Sequence, residues 1–292
     1  MQVLNPAARA LAVVLLAGAS MLSGSVVAQT AAPAKQEFTP SVGQEGKDVI
    51  WVPTPQSLVD RMLQMAKVTS NDYVVDLGSG DGRTVITAAK KFGARALGVE
   101  YNPEMVELSK RNAQKEGVAE KAQFMKADIF ETDFSKATVL TLYLLPSLNV
   151  KLRPTILKMK PGTRVVSHAF TMDDWSPDQV ESSEGRTAYM WIVPANVAGT
   201  WRIEVTGKQA LEASFTQQYQ NVAGSVKSGA KSAPVANGKL HGEDITFAFA
   251  DDANAKREFT GHVNGNRIEG TVKTAGESGE TKFVATRAGD AR

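Results

Sequence analysis

At 292 residues the chain has room for one large α/β domain and a smaller second one, since domains run to roughly 100–200 residues. An apolar share of 42% and a charged share of 22% are those of a folded globular protein, which excludes wholesale disorder and a membrane bundle. A formal net charge of +2 with no dense Lys/Arg run argues against nucleic acid as a partner, because phosphate neutralisation leaves a basic excess or stripe.

The chain opens with the pattern of a secretory signal. Arg9 supplies the charge, residues 11–16 begin the apolar region, and Val26-Val27-Ala28 offers a small-residue cleavage site before Gln29. A signal over 1–28 and a secreted or periplasmic mature protein are therefore expected. The apolar stretch is shorter than the ~20 residues of a spanning helix and is broken by Gly18, Ser20, Ser23 and Gly24, so no membrane span is expected after signal removal. Cysteine is absent, which is compatible with an oxidising compartment. Residues 29–46, rich in Ala, Pro, Thr, Gln and Gly without apolar periodicity, read as a flexible leader that carries no chemistry.

From residue 47 to 196 helix and strand patterns alternate. Apolar residues at helical spacing predict a helix over 55–67, then a buried strand over 73–77, a helix over 83–92 and a strand over 96–100. A helix over 104–116, closed by Gly117, leads to a third strand over 122–127. Strands over 137–145, 163–170 and 188–193 follow, with a helix around 152–159. The β–α–β order implies a doubly wound, mostly parallel sheet with helices on both faces. After Pro194 short alternating segments punctuated by Gly, Asn and Ser replace the helical period, and a small antiparallel barrel or sandwich is expected over 197–292. Strands are predicted over 201–206, 211–217, 221–226, 244–250, 258–263, 267–272 and 282–286. An apolar-x-Gly pattern recurs at Gly224, Gly242, Gly261 and Gly270, which suits bends or bulges, and Asn264-Gly265 marks a hairpin turn.

The informative segment runs from strand into helix as Asp76-Leu-Gly78-Ser79-Gly80-Asp-Gly82-Arg83. Glycines there remove Cβ atoms where a ligand must lie against the backbone, and the helix N-terminus faces that ligand. Arg83 stands where a dinucleotide fingerprint would put its third glycine, which favours a nucleoside without a pyrophosphate. Glu100 ends the next strand, where a carboxylate can accept from both ribose hydroxyls. Asp128, after the third strand, is placed for an exocyclic adenine amine, with Ile129 and Phe130 as apolar cover. Three such sites at the carboxyl ends of successive strands converge on one crevice.

These motifs resemble those of the class I S-adenosylmethionine (SAM) dependent methyltransferases. Val52-Pro-Thr54-Pro55, Asp76 to Arg83, Tyr143-Leu-Leu-Pro-Ser147 and Arg164-Val-Val-Ser167 with Trp175 resemble, within that group, the small seven-strand protein-lysine methyltransferases. The resemblance covers about 49–194 and implies a Rossmann-like fold, SAM as cofactor and a protein, with lysine as its acceptor side chain, as partner. It also implies Thr54, Asp76, Gly78, Ser79, Gly80, Gly82, Glu100, Tyr101, Asp128 and Ile129 as the cofactor-binding set. Because a sulfonium methyl is already activated, positioning and desolvation suffice and no dedicated base is required. Tyr143, after the fourth strand, is expected to shape the acceptor channel. His168, inside an apolar strand, reads as a hydrogen-bonded core histidine, and the spacing of His241 and His262 suggests no metal. Trp175, Trp191 and Trp201 are expected to pack where the two domains meet. The alternatives are a module that binds SAM or its demethylated product without transfer, leaving the β domain as the working part, and an NAD-dependent oxidoreductase.

Overall fold

A computed structural model describes residues 38–289, so the expected signal over 1–28 lies outside the described residues. In the first half α1 (Gln56–Met65), β1 (Tyr73–Leu77), α2 (Arg83–Phe92), β2 (Arg95–Glu100), α3 (Pro103–Lys115) and β3 (Ala122–Lys126) alternate. Helical crossovers return each strand alongside the last, so β1 pairs parallel to β2 and β2 to β3. β4 (Val139–Leu142) then crosses to the other side of β1 and β5 (Arg164–His168) lies beside it, both parallel. β6 (Gln179–Ser183) and β7 (Arg186–Ile192) complete the order β3-β2-β1-β4-β5-β7-β6, with β7 antiparallel to β5 and β6 antiparallel to β7. The winding reverses between β1 and β4, and that switch point opens the crevice in which such sheets bind ligands.

Alternation along each central strand feeds two cores. Val74, Ala96, Val139 and Val166 pack under α1, α2 and α3. Val75, Leu77, Leu140, Leu142 and Val165 face the opposite side with Leu152, Trp175 and Trp191. The last helix of this half, α4 (Pro146–Ile156), begins well before the expected 152, because Pro146 sits at its first position, where the missing N–H costs no hydrogen bond. β6 has no counterpart among the expected strands. Its sequence, Gln-Val-Glu-Ser-Ser, has no buried face to advertise, and Val180 is exposed at the sheet edge.

The second half is a barrel of strands β8 (Gly199–Val205), β9 (Leu211–Gln218), β10 (Asn221–Ser228), β12 (Ala236–His241), β13 (Asp244–Ala250), β14 (Lys256–Asn264), β15 (Arg267–Thr274) and β16 (Thr281–Arg287). Neighbours pair antiparallel, and the β9–β10 pairing closes the ring, while the short β11 (Lys231–Pro234) extends β10 outside it. Aromatic rings fill the interior, with Phe247 stacked on Phe259 at 4.7 Å and Phe283 edge-on to Phe259 at 5.0 Å. That filling is what a ring of eight strands has room for. β11 and β12 escape sequence reading because they are polar, and Pro234 is tolerated on an edge.

Of the apolar-x-Gly positions, Gly224, Gly261 and Gly270 lie in strands, but Gly242 lies in the turn between β12 and β13. The hairpin expected at Asn264-Gly265 forms one residue later, since Asn264 pairs with Arg267 around Gly265 and Asn266. Trp201 belongs to the barrel core, its indole donating to the Val197 carbonyl at 2.7 Å, and not to the place where the halves meet. Trp175 does lie there, stacked with the barrel's Tyr219.

Gly224 is required by space as well as by backbone: its φ is 133° and a Cβ would come within 1.9 Å of the Ser214 carbonyl oxygen. Gly224→Ala is expected to destabilise the chain by about 2 kcal/mol or more, read by denaturant unfolding, whereas a loss under ~0.5 kcal/mol would contradict the close approach.

Candidate cofactor and acceptor site

Above the switch point lies a cavity of about 800 Å³, ample for a nucleoside with an amino-acid tail. The glycine loop forms its floor. The Gly78 and Ser79 amides donate to the Val99 carbonyl at 2.9 and 3.0 Å, which ties the end of β1 to the end of β2. Gly78 and Gly80 hold φ of 80° and 53°, and the Trp51 indole lies against Gly80 so closely that a Cβ would fall 2.6 Å from its Nε1. Gly82 plays a different part from the one expected. It stands outside the cavity lining, and a Cβ there would meet the Phe124 ring at 2.7 Å, so it serves the packing of α2 against β3.

Glu100 is fixed before any ligand arrives. Its Oε2 accepts from the Gly80 amide at 2.9 Å and its Oε1 from the Asn102 amide at 2.9 Å. Each oxygen keeps a further lone pair, which is what two sugar hydroxyls require. Asn102 in turn caps α3, accepting from the Glu104 amide at 2.8 Å. Tyr101, Asp128 and Ile129 line the far end, and the Phe130 amide donates to Asp128 at 2.9 Å. Lys47 binds the other oxygen of Asp128 and lies over the Tyr101 ring at 5.1 Å. Its hydrogen bond holds the Asp128 carboxyl below the usual carboxylate range.

Lys47 arrives on a hairpin whose strands are tied by Gly43 N–H to Trp51 O and Trp51 N–H to Gln44 O, both 2.9 Å. Gln44, Glu45 and Gly46, placed by the sequence in a leader without chemistry, therefore line the cavity with Trp51. The signal available for this was the Gly46-Lys47-Asp48 turn before the apolar Val49-Ile-Trp-Val52.

Asp76 is buried beneath the loop, accepting from the Thr141 hydroxyl at 2.6 Å. Burial pushes its carboxyl up to about 7, and the charges of Asp81 and Glu100 push the same way. Arg83 forks onto Asp81 and donates to the Thr54 carbonyl at 2.8 Å. At the opposite wall the Thr54 hydroxyl meets His168 Nδ1 at 3.0 Å. His168 is buried, and burial holds it down at about 4, so it is a neutral core histidine. Tyr143 stacks on its ring at 3.8 Å and faces Phe170 at 6.1 Å, lining the cavity beside Leu144 and Leu145.

These groups suit SAM. The Ser79 hydroxyl is buried in the loop, against Gly98 of β2, with no hydrogen-bond partner among the described residues. Asp76, Asp81 and Glu100 converge on the loop, a setting that favours a cationic amino acid and repels a pyrophosphate. Fold and site together define a class I SAM-dependent methyltransferase.

Comparisons with known proteins agree. Residues 76–179 match the ANTKMT methyltransferase domain family. A protein-lysine N-methyltransferase of Saccharolobus islandicus is 45% identical over 151 residues, covering 50% of this chain and 94% of that one. The adenine nucleotide translocase lysine N-methyltransferase of Mus musculus is 35% identical over 106 residues, 36% of this chain, and the chain spans 46% of its length. A solved structure described as an RNA methyltransferase from Salinibacter ruber with S-adenosyl-L-homocysteine (SAH) is 51% identical, covers 50% of this chain and 96% of its own, and has a TM-score of 0.49. The chain belongs to the same family of SAM-dependent methyltransferases as the archaeal enzyme. Neither the silent module nor the oxidoreductase finds support among these relatives.

The sign of the Asp76 shift fixes a pH dependence. Its folded-state carboxyl is protonated below about 7, so ionising it costs stability as pH rises from the ordinary carboxylate range through 7. A cationic ligand favours the ionised form, so SAM affinity should rise with pH through about 7 and binding near pH 6 should release a proton. Calorimetry in buffers of different ionisation enthalpy reads that proton. A flat profile in the wild type, or the same slope in Asp76→Asn, would contradict the assignment.

Proposed function

We propose that the chain transfers the SAM methyl group to the side-chain amine of a lysine in a protein outside the cytoplasm. The observation that carries this reading is the 45% identity across almost the whole of an archaeal protein-lysine N-methyltransferase. The site supports it chemically. When bound, SAM supplies a methyl already activated on a sulfonium sulfur, so the protein must only position and desolvate the acceptor. Tyr143, Leu144 and Phe170 give the cavity an apolar wall suited to a neutral amine, since desolvation disfavours its charged form. Glu100 would hold the sugar, Asp128 the adenine amine once Lys47 yields it, and the loop at Gly78 to Gly80 the amino-acid tail. A near-neutral chain without a basic stripe favours a protein over an RNA acceptor. The signal pattern around Arg9 and Ala28 supports export, with the barrel serving substrate choice or attachment.

The test is to incubate the protein from Gln29 onward with methyl-labelled SAM and envelope proteins or total RNA, and to locate the label by mass spectrometry. Label on lysine Nε is expected, and label on RNA alone would overturn the acceptor class. Tyr143→Ala should lower transfer about tenfold while leaving SAH affinity within about twofold, as expected for a group that positions the acceptor. Unchanged transfer would remove Tyr143 from the channel. Fractionation of a tagged full-length chain tests export, and an uncleaved cytoplasmic product would refute it.

A further inference from the structure

We infer that the barrel is a working part of the transfer site: Tyr219 and Gln220, at the tip of the β9–β10 hairpin, brace the loop that carries Phe170 to the cavity. This rests on the reading of the Tyr143 and Phe170 wall as the acceptor end.

The tip breaks the ordinary rules for its position. Gln218 pairs with Asn221, so Tyr219 and Gln220 are the two central residues of a tight hairpin. Asn or Gly normally stands where φ is positive, because a side chain is strained there, yet Tyr219 holds a φ of 54°. Gln220 is 2% exposed, although a hairpin tip ordinarily faces water. Backbone strain and buried polarity of this kind persist only where the surroundings enforce them.

Both side chains leave the barrel for the methyltransferase half. Tyr219 packs against that half's core, its ring stacked on Trp175 at 5.7 Å with an interplanar angle of 17°. Its hydroxyl donates to Asp174 at 2.9 Å, and the Arg153 guanidinium lies 5.4 Å from its ring centroid. Gln220 Nε2 donates to the Ser176 carbonyl at 2.8 Å.

The braced segment, residues 169–176, leaves β5 and is itself strained, with φ of 63° at Ala169 and 59° at Asp173. From the near side α4 holds it: Asn149 reaches the Thr171 carbonyl at 3.2 Å and Arg153 donates to the Met172 carbonyl at 2.7 Å. Arg153 also binds Asp174, so the same guanidinium meets the loop and the barrel's tyrosine. Phe170 rides on this loop and faces Tyr143. Removing the far-side brace frees a strained loop to relax, and Phe170 moves with it. Tyr219 and Gln220 are thus positioning residues that act on the acceptor end and not on the cofactor end.

The test uses the protein from Gln29 onward with Tyr219→Ala, Tyr219→Phe and Gln220→Ala. It reads amide hydrogen exchange across the loop, SAH affinity by calorimetry, and methyl transfer from labelled SAM to an envelope-protein extract. In Tyr219→Ala the amides of the loop should exchange about tenfold faster and transfer should fall about tenfold, with SAH affinity and barrel protection within about twofold of wild type. Gln220→Ala should shift loop exchange in the same direction. Tyr219→Phe, which keeps the stack, should recover most of the transfer. Wild-type loop exchange in both alanine variants, or a transfer loss matched by lost SAH affinity, would overturn the inference. If the wild type labels nothing in the extract, the acceptor reading fails, while loop exchange still decides whether the barrel braces the site.

Discussion

The site depends on one short set of backbone contacts at the ends of β1 and β2. Two amides of the glycine loop grip the Val99 carbonyl, and a third, that of Gly80, grips the Glu100 carboxylate from above. Loop and carboxylate therefore set each other's position. Without Glu100 the bend at Gly80 would lose an anchor, and without the bend the carboxylate would lose its orientation. Because donors and acceptor are already paired, little ordering remains to be done when a ligand arrives, and pre-organisation of this kind turns contacts into affinity.

The remainder of the molecule serves that junction. The parallel order of β3, β2, β1 and β4 brings Asp128, Glu100, Asp76 and Tyr143 to one edge, each at or just beyond the carboxyl end of its own strand. The hairpin carrying Lys47 and Trp51 covers the edge from outside the sheet. On another wall Tyr143 and Phe170 line the cavity, and the neutral His168 is buried behind them, hydrogen-bonded to Thr54 and stacked on Tyr143. The barrel, filled by its own rings, offers its hairpin tip to this assembly while its interior stays closed.

Much of this was legible in the sequence, for identifiable reasons. β1, α2, β2, α3 and β3 carry strong periodicity and sharp punctuation, so they stand where the pattern puts them to within a residue or two. That Asp76, Glu100 and Asp128 line one cavity was legible because each stands at or just beyond the carboxyl end of a successive parallel strand, where such sheets open a crevice. The hairpin at Gln44 to Trp51 was not, because its composition is that of a leader and its partners lie far along the chain. Gly82 misled for the opposite reason: a glycine in a ligand-binding motif can answer to a neighbouring ring, here Phe124, and sequence spacing does not distinguish the two. β6 and β11 were hidden by polarity, since edge strands need not bury a face. Tyr219 was silent for want of any local signature, as its partners Asp174 and Trp175 come from the other domain.

The central claim is that the sugar of a SAM-type nucleoside rests on Glu100 at the carboxyl edge of the sheet. Titration calorimetry with SAH on the wild type and on Glu100→Ala addresses it directly. Micromolar binding is expected in the wild type, with a loss of about 3 kcal/mol, roughly a hundredfold, in the variant, as befits hydrogen bonds to a charged group. No binding heat from the folded wild type, or equal affinity in the two proteins, would contradict it.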